Sequence, residues 1–144
     1  MTLSTTLTDN SSSKPRVGLL VSSDLFFTSK VTGAAQALGL QVDNIDNSAA
    51  AVTRLHAGDI ACVFVDLASP KASVGVIIAA LPPDSRVPVI AFGSHVATDI
   101  LDSARAAGAE VMPRSQFSAT LPDILKRHLQ WSAGPLGEGK SEPR

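Results

Sequence analysis

One cysteine, one tryptophan, three histidines and no tyrosine are spread over 144 residues. Cys62 has no partner for an internal disulfide, and the scattered histidines form no Cys/His zinc pattern with it. The fold must therefore rest on packing. No apolar run comes near the roughly 18 residues of a membrane-spanning helix, so no membrane partner is expected. An excess of charge of one sign is missing too. Twelve Lys and Arg face thirteen Asp and Glu, a net charge of −1, which supplies no field to hold a nucleic-acid backbone or an anionic bilayer. Residues 1–13 have neither a basic start nor an apolar stretch, so no signal peptide is read and a cytoplasmic location is expected.

What is present is a chain with 44% hydrophobic and 17% charged residues, long enough for one domain with tails. Residues 1–14 form a Ser/Thr-rich tail whose composition cannot offset the entropy of ordering, and residues 132–144 form a Gly/Pro-containing one. The domain is expected over 15–131. Within it, short apolar runs alternate with amphipathic segments, the pattern of a parallel sheet built from βα units. Val17–Val21 and Ile60–Val65 are continuously apolar and read as central strands buried on both faces. Leu40–Ile45 is more polar and reads as an edge. Val87–Phe92 tolerates Pro88 only at its beginning, and Glu110–Met112 makes a fifth strand.

Helical spacing fills the gaps. Phe27, Val31, Ala34 and Leu38 recur along a first helix capped by Ser23 or Asp24 and stopped by Gly39. Ser48 opens a short second helix with Val52 and Leu55 inward, and Ser73–Leu81 forms a third before Pro82 and Pro83. Thr98 is expected to cap a fourth with Ile100, Leu101 and Ala104 on one face, ended by Gly108. A fifth, Ser118–Trp131, carries Leu121, Ile124, Leu125, His128 and Leu129 as its stripe, with Pro122 in the first turn. Phe26 and Phe27 read as packing at the start of the first helix. The sum is an α/β doubly wound (βα)5 unit, whose ligand crevice lies outside the carboxyl ends of the strands.

Three segments carry a resemblance. Asp59-Ile60-Ala61-Cys62-Val63-Phe64-Val65-Asp66-Leu67-Ala68-Ser69-Pro70 resembles the third strand of a response-regulator receiver domain, in which the phospho-acceptor aspartate is followed by a hydrophobic residue and then a proline. Pro88–Phe92 and Ala104-Arg105-Ala106-Ala107-Gly108-Ala109-Glu110 resemble its fourth strand and the approach to its fifth. The resemblance covers nearly all of residues 15–131 and implies a flavodoxin-like sheet with strand order 2-1-3-4-5. It makes Asp66 the acceptor equivalent.

The chemistry departs from the family. Two acidic residues should end the first strand and, with the acceptor, hold magnesium; Ser22 and Ser23 stand there instead. Magnesium usually needs at least one or two carboxylates, so none is expected unless Asp24 and Asp66 cooperate. The family's hydroxyl after the fourth strand aligns with Gly93, beside Ser94 and His95. Its lysine-proline pair aligns with Ser115 and Gln116, with Arg114 one position early, and its aromatic switch residue with Met112. The candidate crevice is thus Ser22, Ser23, Asp24, Asp66, Ser94, His95, Arg114 and Ser115. Asp66 is either an acceptor or a strand-end carboxylate that binds loop N–H groups or pairs with Arg114. No strained Gly-x-Ser-x-Gly elbow accompanies Ser94 and His95, so hydrolysis and other enzymatic activity are not expected.

Three functions follow from the resemblance and the altered site. The first is a stand-alone signalling module that works by protein–protein contact without magnesium-dependent phosphorylation, able to homodimerise through its fourth helix, fifth strand and fifth helix. The second is a phosphorelay regulator phosphorylated on Asp66 by a histidine kinase. The third is a sensor of a small anion or nucleotide at the crevice.

Overall fold

A computed structural model describes residues 17–82, 85 and 87–129. The two expected tails, together with Pro15, Pro83 and Trp131, lie outside the described residues. Five strands, β1 (Val17–Val21), β2 (Gln41–Ile45), β3 (Ile60–Asp66), β4 (Val89–Gly93) and β5 (Glu110–Pro113), alternate with helices α1 (Leu25–Ala37), α2 (Ser48–Leu55), α3 (Val74–Ala80) and α4 (Thr98–Ala107). Two further helices, α5 (Arg114–Ala119) and α6 (Leu121–Leu129), follow β5. All pairings are parallel, in the order β2-β1-β3-β4-β5. This is the doubly wound order the sequence implied.

Residues alternate across the sheet, so each strand feeds two cores. Leu20, Phe64, Phe92 and Met112 meet Phe27 and Val31 of α1, Phe117 of α5 and Leu125 of α6 on one face. Leu19, Val21, Val63, Val65 and Ala91 meet Ala51 of α2, Ile77 of α3 and Ala104 of α4 on the other. Central β1 and β3 are buried along their whole length, whereas β2 at the sheet's edge buries only Val42 fully. Chain reversals are set by local chemistry. Gly39 (φ +75°) and Gly108 (φ +114°) follow α1 and α4 in the left-handed region that L side chains rarely adopt.

Several local expectations change. Ser48 opens the second helix as expected, with Asn47 as its cap accepting from Ala50 N–H at 2.8 Å, but the helix buries Ser48 and Ala51 while Val52 stays half-exposed. Thr98 is the first residue of α4 rather than its cap; Ala97 holds that position without a side-chain bond. Ile100 is half exposed while Leu101 and Ala104 face the core. Phe27 is buried, but Phe26 is 90% exposed on the outer side of α1. The expected fifth helix, Ser118–Trp131, is seen as α6 from Leu121, and the short α5 before it was not expected; the two are broken at Thr120, whose N–H and hydroxyl both bond to the Gln116 carbonyl.

Candidate functional site

The site is built where β1, β3 and β5 end. Asp66 is the last residue of β3, 1% exposed, and each of its carboxylate oxygens already has partners. Oδ2 accepts from the Ser22 hydroxyl at 2.8 Å. Oδ1 accepts from the Ala68 N–H at 3.0 Å and from Arg114 Nη2 at 2.8 Å. A buried carboxylate left without such donors would lose several kcal/mol, so this arrangement is what lets Asp66 be buried.

Each donor is placed by its own segment. Ser22 follows β1, continues its ladder by donating its N–H to the Ile45 carbonyl, and is fully buried. Its hydroxyl also accepts from Asp24 N–H at 3.1 Å, fixing the loop. Arg114 is the first residue of α5, whose Phe117 is buried and stacks on Phe92 with centroids 4.3 Å apart. A hydrogen bond from Lys30 Nζ to the Ser118 hydroxyl ties the same helix to α1. The Arg114 guanidinium lies over the Phe27 ring at 4.6 Å and near that of Phe92 at 5.5 Å. Cation–π contact and the ion pair therefore hold one geometry together.

Asp24 has two occupations. Its Oδ1 caps α1 by accepting Phe27 N–H at 3.0 Å, and its Oδ2 lies 3.6 Å from Arg114 Nη1. Ser23 is tied sideways: its N–H and hydroxyl reach the buried Ser69 hydroxyl at 2.9 and 3.3 Å. Nothing in the sequence marks Ser69 for burial, because a single serine between Asp66 and Pro70 carries no burial signal. Thus Ser22, Asp24, Asp66 and Arg114 come together, with Ser23 stitched alongside through Ser69.

The remaining candidates stay apart. Ser94 and His95 are exposed in the loop after β4, where the Ser94 hydroxyl accepts from Val96 N–H. Ser115 is exposed on the first turn of α5. Gly93, which the resemblance aligned with a hydroxyl-bearing residue, has no room for a side chain without movement: a Cβ there would lie 3.2 Å from Leu67 Cβ. Met112, which it aligned with an aromatic residue, is buried in the core with Phe92 and Phe117. A crevice of about 440 Å³ opens beside Ser22 and Ser23, walled by Leu25, Asn44, Ile45 and Asp46.

The residues present do not fit a divalent ion. Among the described residues no three His, Cys, Asp or Glu side chains are grouped to hold one. Asp66 already meets a guanidinium, and Ser22 spends its proton on Asp66. A hard cation would have to displace a fixed positive charge to reach oxygen ligands.

No sequence-family model matches the chain, and no curated protein matches it. Solved structures do. A response regulator from Thermotoga maritima superposes with a TM-score of 0.62 at 23% identity, covering 82% of this chain and 99% of that one. The receiver domain of NtrX from Brucella abortus gives 0.64 at 18% identity over 80% and 99%. The phosphorylated cyanobacterial phytochrome response regulator RcpA gives 0.65 at 17% identity over 83% and 96%. With its strand order and these superpositions, the chain has the receiver fold of response regulators.

Proposed function

We propose that this chain is a non-catalytic signalling module of the receiver type that acts by contact with a protein partner and not by magnesium-dependent phosphoryl transfer to Asp66. The closed carboxylate carries the reading. Phosphoryl transfer depends on positioning and on neutralising developing charge, and here both acceptor oxygens are engaged and the ligands for a metal are replaced by hydroxyls. RcpA is described in a phosphorylated form; an acceptor held by Ser22 and Arg114 does not favour the same chemistry.

The sensor reading loses ground on charge. Asp24, Asp66 and Arg114 together carry −1, which repels the small anions that reading requires. Contact with protein is favoured by large apolar side chains at the strand-end rim: Leu25 and Phe26 at the start of α1 are 75% and 90% exposed, and Val96 after β4 is 73% exposed. We place the contact surface there rather than on α4, β5 and α6. No described helix is long and apolar enough to cross a membrane.

Incubation with phosphoramidate and magnesium, followed by intact-mass measurement, tests the reading. No phosphate should be added. Near-stoichiometric phosphate that is absent from Asp66→Asn would refute it and make the protein a phosphorelay regulator.

A further inference from the structure

We infer that Arg114 is a tethered cation that stands permanently where a receiver fold would otherwise accommodate a divalent ion. The inference rests on the closed-site part of the functional reading and adds what closes it. Two carboxylates from different loops converge on one guanidinium, with Asp66 Oδ1 at 2.8 Å from Nη2 and Asp24 Oδ2 at 3.6 Å from Nη1. The positive charge is covalently part of α5 and is fixed by stacking over Phe27. Its local concentration does not fall when solution metal is removed. Ser22 adds to the closure: its hydroxyl ties the end of β1 to Asp66 Oδ2 at 2.8 Å.

Two consequences follow. The wild-type fold is indifferent to divalent metal, and removing the guanidinium exposes a weak cation site between Asp24 and Asp66. Carboxylates that converge on a vacated positive position, with water free to complete the shell, suit a hard ion. Lysine at 114 would keep a point charge there and keep the metal out.

Manganese, which broadens nearby amide resonances, tests this with no reference to phosphorylation. Full-length wild type should show the same melting temperature in EDTA and in millimolar magnesium, and no broadening localised to Asp24, Ala68 or Arg114. Arg114→Met, whose stem still covers Phe27, should show broadening centred on Asp24 and Asp66 that magnesium reverses, while Arg114→Lys should not. Localised broadening in wild type overturns the inference, as does a folded Arg114→Met without it. If Arg114→Met does not fold, the wild-type arm still decides. Phosphate taken up by wild type with no metal broadening would remove the functional reading and leave this inference standing.

Discussion

Breaking the Asp66–Arg114 pair one side at a time gives the sharpest energetic prediction. Asp66 is almost wholly buried, whereas the Arg114 side chain is 31% exposed, so the pair lies between the buried and surface regimes. Removing one partner of a buried pair costs about 3–5 kcal/mol, and an exposed pair contributes about 0–1. After Arg114→Met, Asp66 keeps the Ser22 and Ala68 donors and loses one charged hydrogen bond, itself about 1.5–3 kcal/mol. We expect a loss of about 2–3 kcal/mol, which includes the cation–π contribution of about 0.5–1, while the methionine stem keeps apolar contact with the Phe27 ring. Asp66→Asn should cost less, because Arg114 keeps Asp24 nearby. The double variant should then be less damaged than the two losses added, with a coupling energy of about 1.5–2 kcal/mol. Urea unfolding followed by far-UV circular dichroism measures all four states, provided the slope with denaturant is unchanged. A coupling energy below about 0.5 kcal/mol, the level of independent sites, would refute the view that the two side chains form one closed unit.

Other outcomes follow from groups outside the site. Burial pushes the His128 imidazole below its usual value, against the opposing pull of Glu110, and its Nε2 is buried without a hydrogen-bond partner among the described residues. The unfolded chain therefore takes up the proton first, and stability should fall as pH drops through about 6.5 and on towards the lower folded value. His128→Leu should flatten that slope, and stability that rises between pH 7 and 5.5 in wild type would contradict the assignment. Burial, with Glu110 nearby, also pushes the Cys62 thiol above its ordinary range, so a maleimide should label it only as fast as the protein opens; immediate labelling of native protein would contradict this. Gly18→Ala should lose about 1–3 kcal/mol by overpacking, since its Cβ would lie 3.0 Å from Leu129 Cδ1 and 3.1 Å from the Phe64 ring; an unchanged urea midpoint would count against that crowding.

The fold could be read because its signals are periodic. Val17–Val21 and Ile60–Val65 are apolar without a break, which only two-sided burial explains, and the polar pattern of Gln41–Ile45 marks an edge strand. Where a segment has one apolar residue, periodicity fails. α5 holds only Phe117 as a large apolar side chain, so nothing in Arg114–Ala119 announced a helix; its stacking on Phe92 supplies the reason to fold. Phe26 and Phe27 are chemically alike, and only the helix's rotation about the sheet decides which is buried. At the site, the resemblance marks Ser22 and Ser23 as standing where it would place acids. The pairing of Asp66 with Arg114 and with a loop N–H is one of the alternatives the residues offered, and it is present at 2.8 Å; linear spacing could not choose it, because the first turn of α5 is what carries Arg114 there. Ser69 is similar: its role arises from the approach of the β1–α1 and β3–α3 loops, which share no local pattern.

Whether Asp66 is closed to phosphoryl chemistry is decided by titrating magnesium and beryllofluoride, a phosphoryl mimic, into isotope-labelled wild type and following its amide resonances. Asp66, Ala68 and Arg114 are expected not to move at millimolar ligand. Saturable shifts centred on Asp66 would contradict that expectation, because they would require the Ser22 and Arg114 bonds to give way to a metal and an acyl-phosphate mimic.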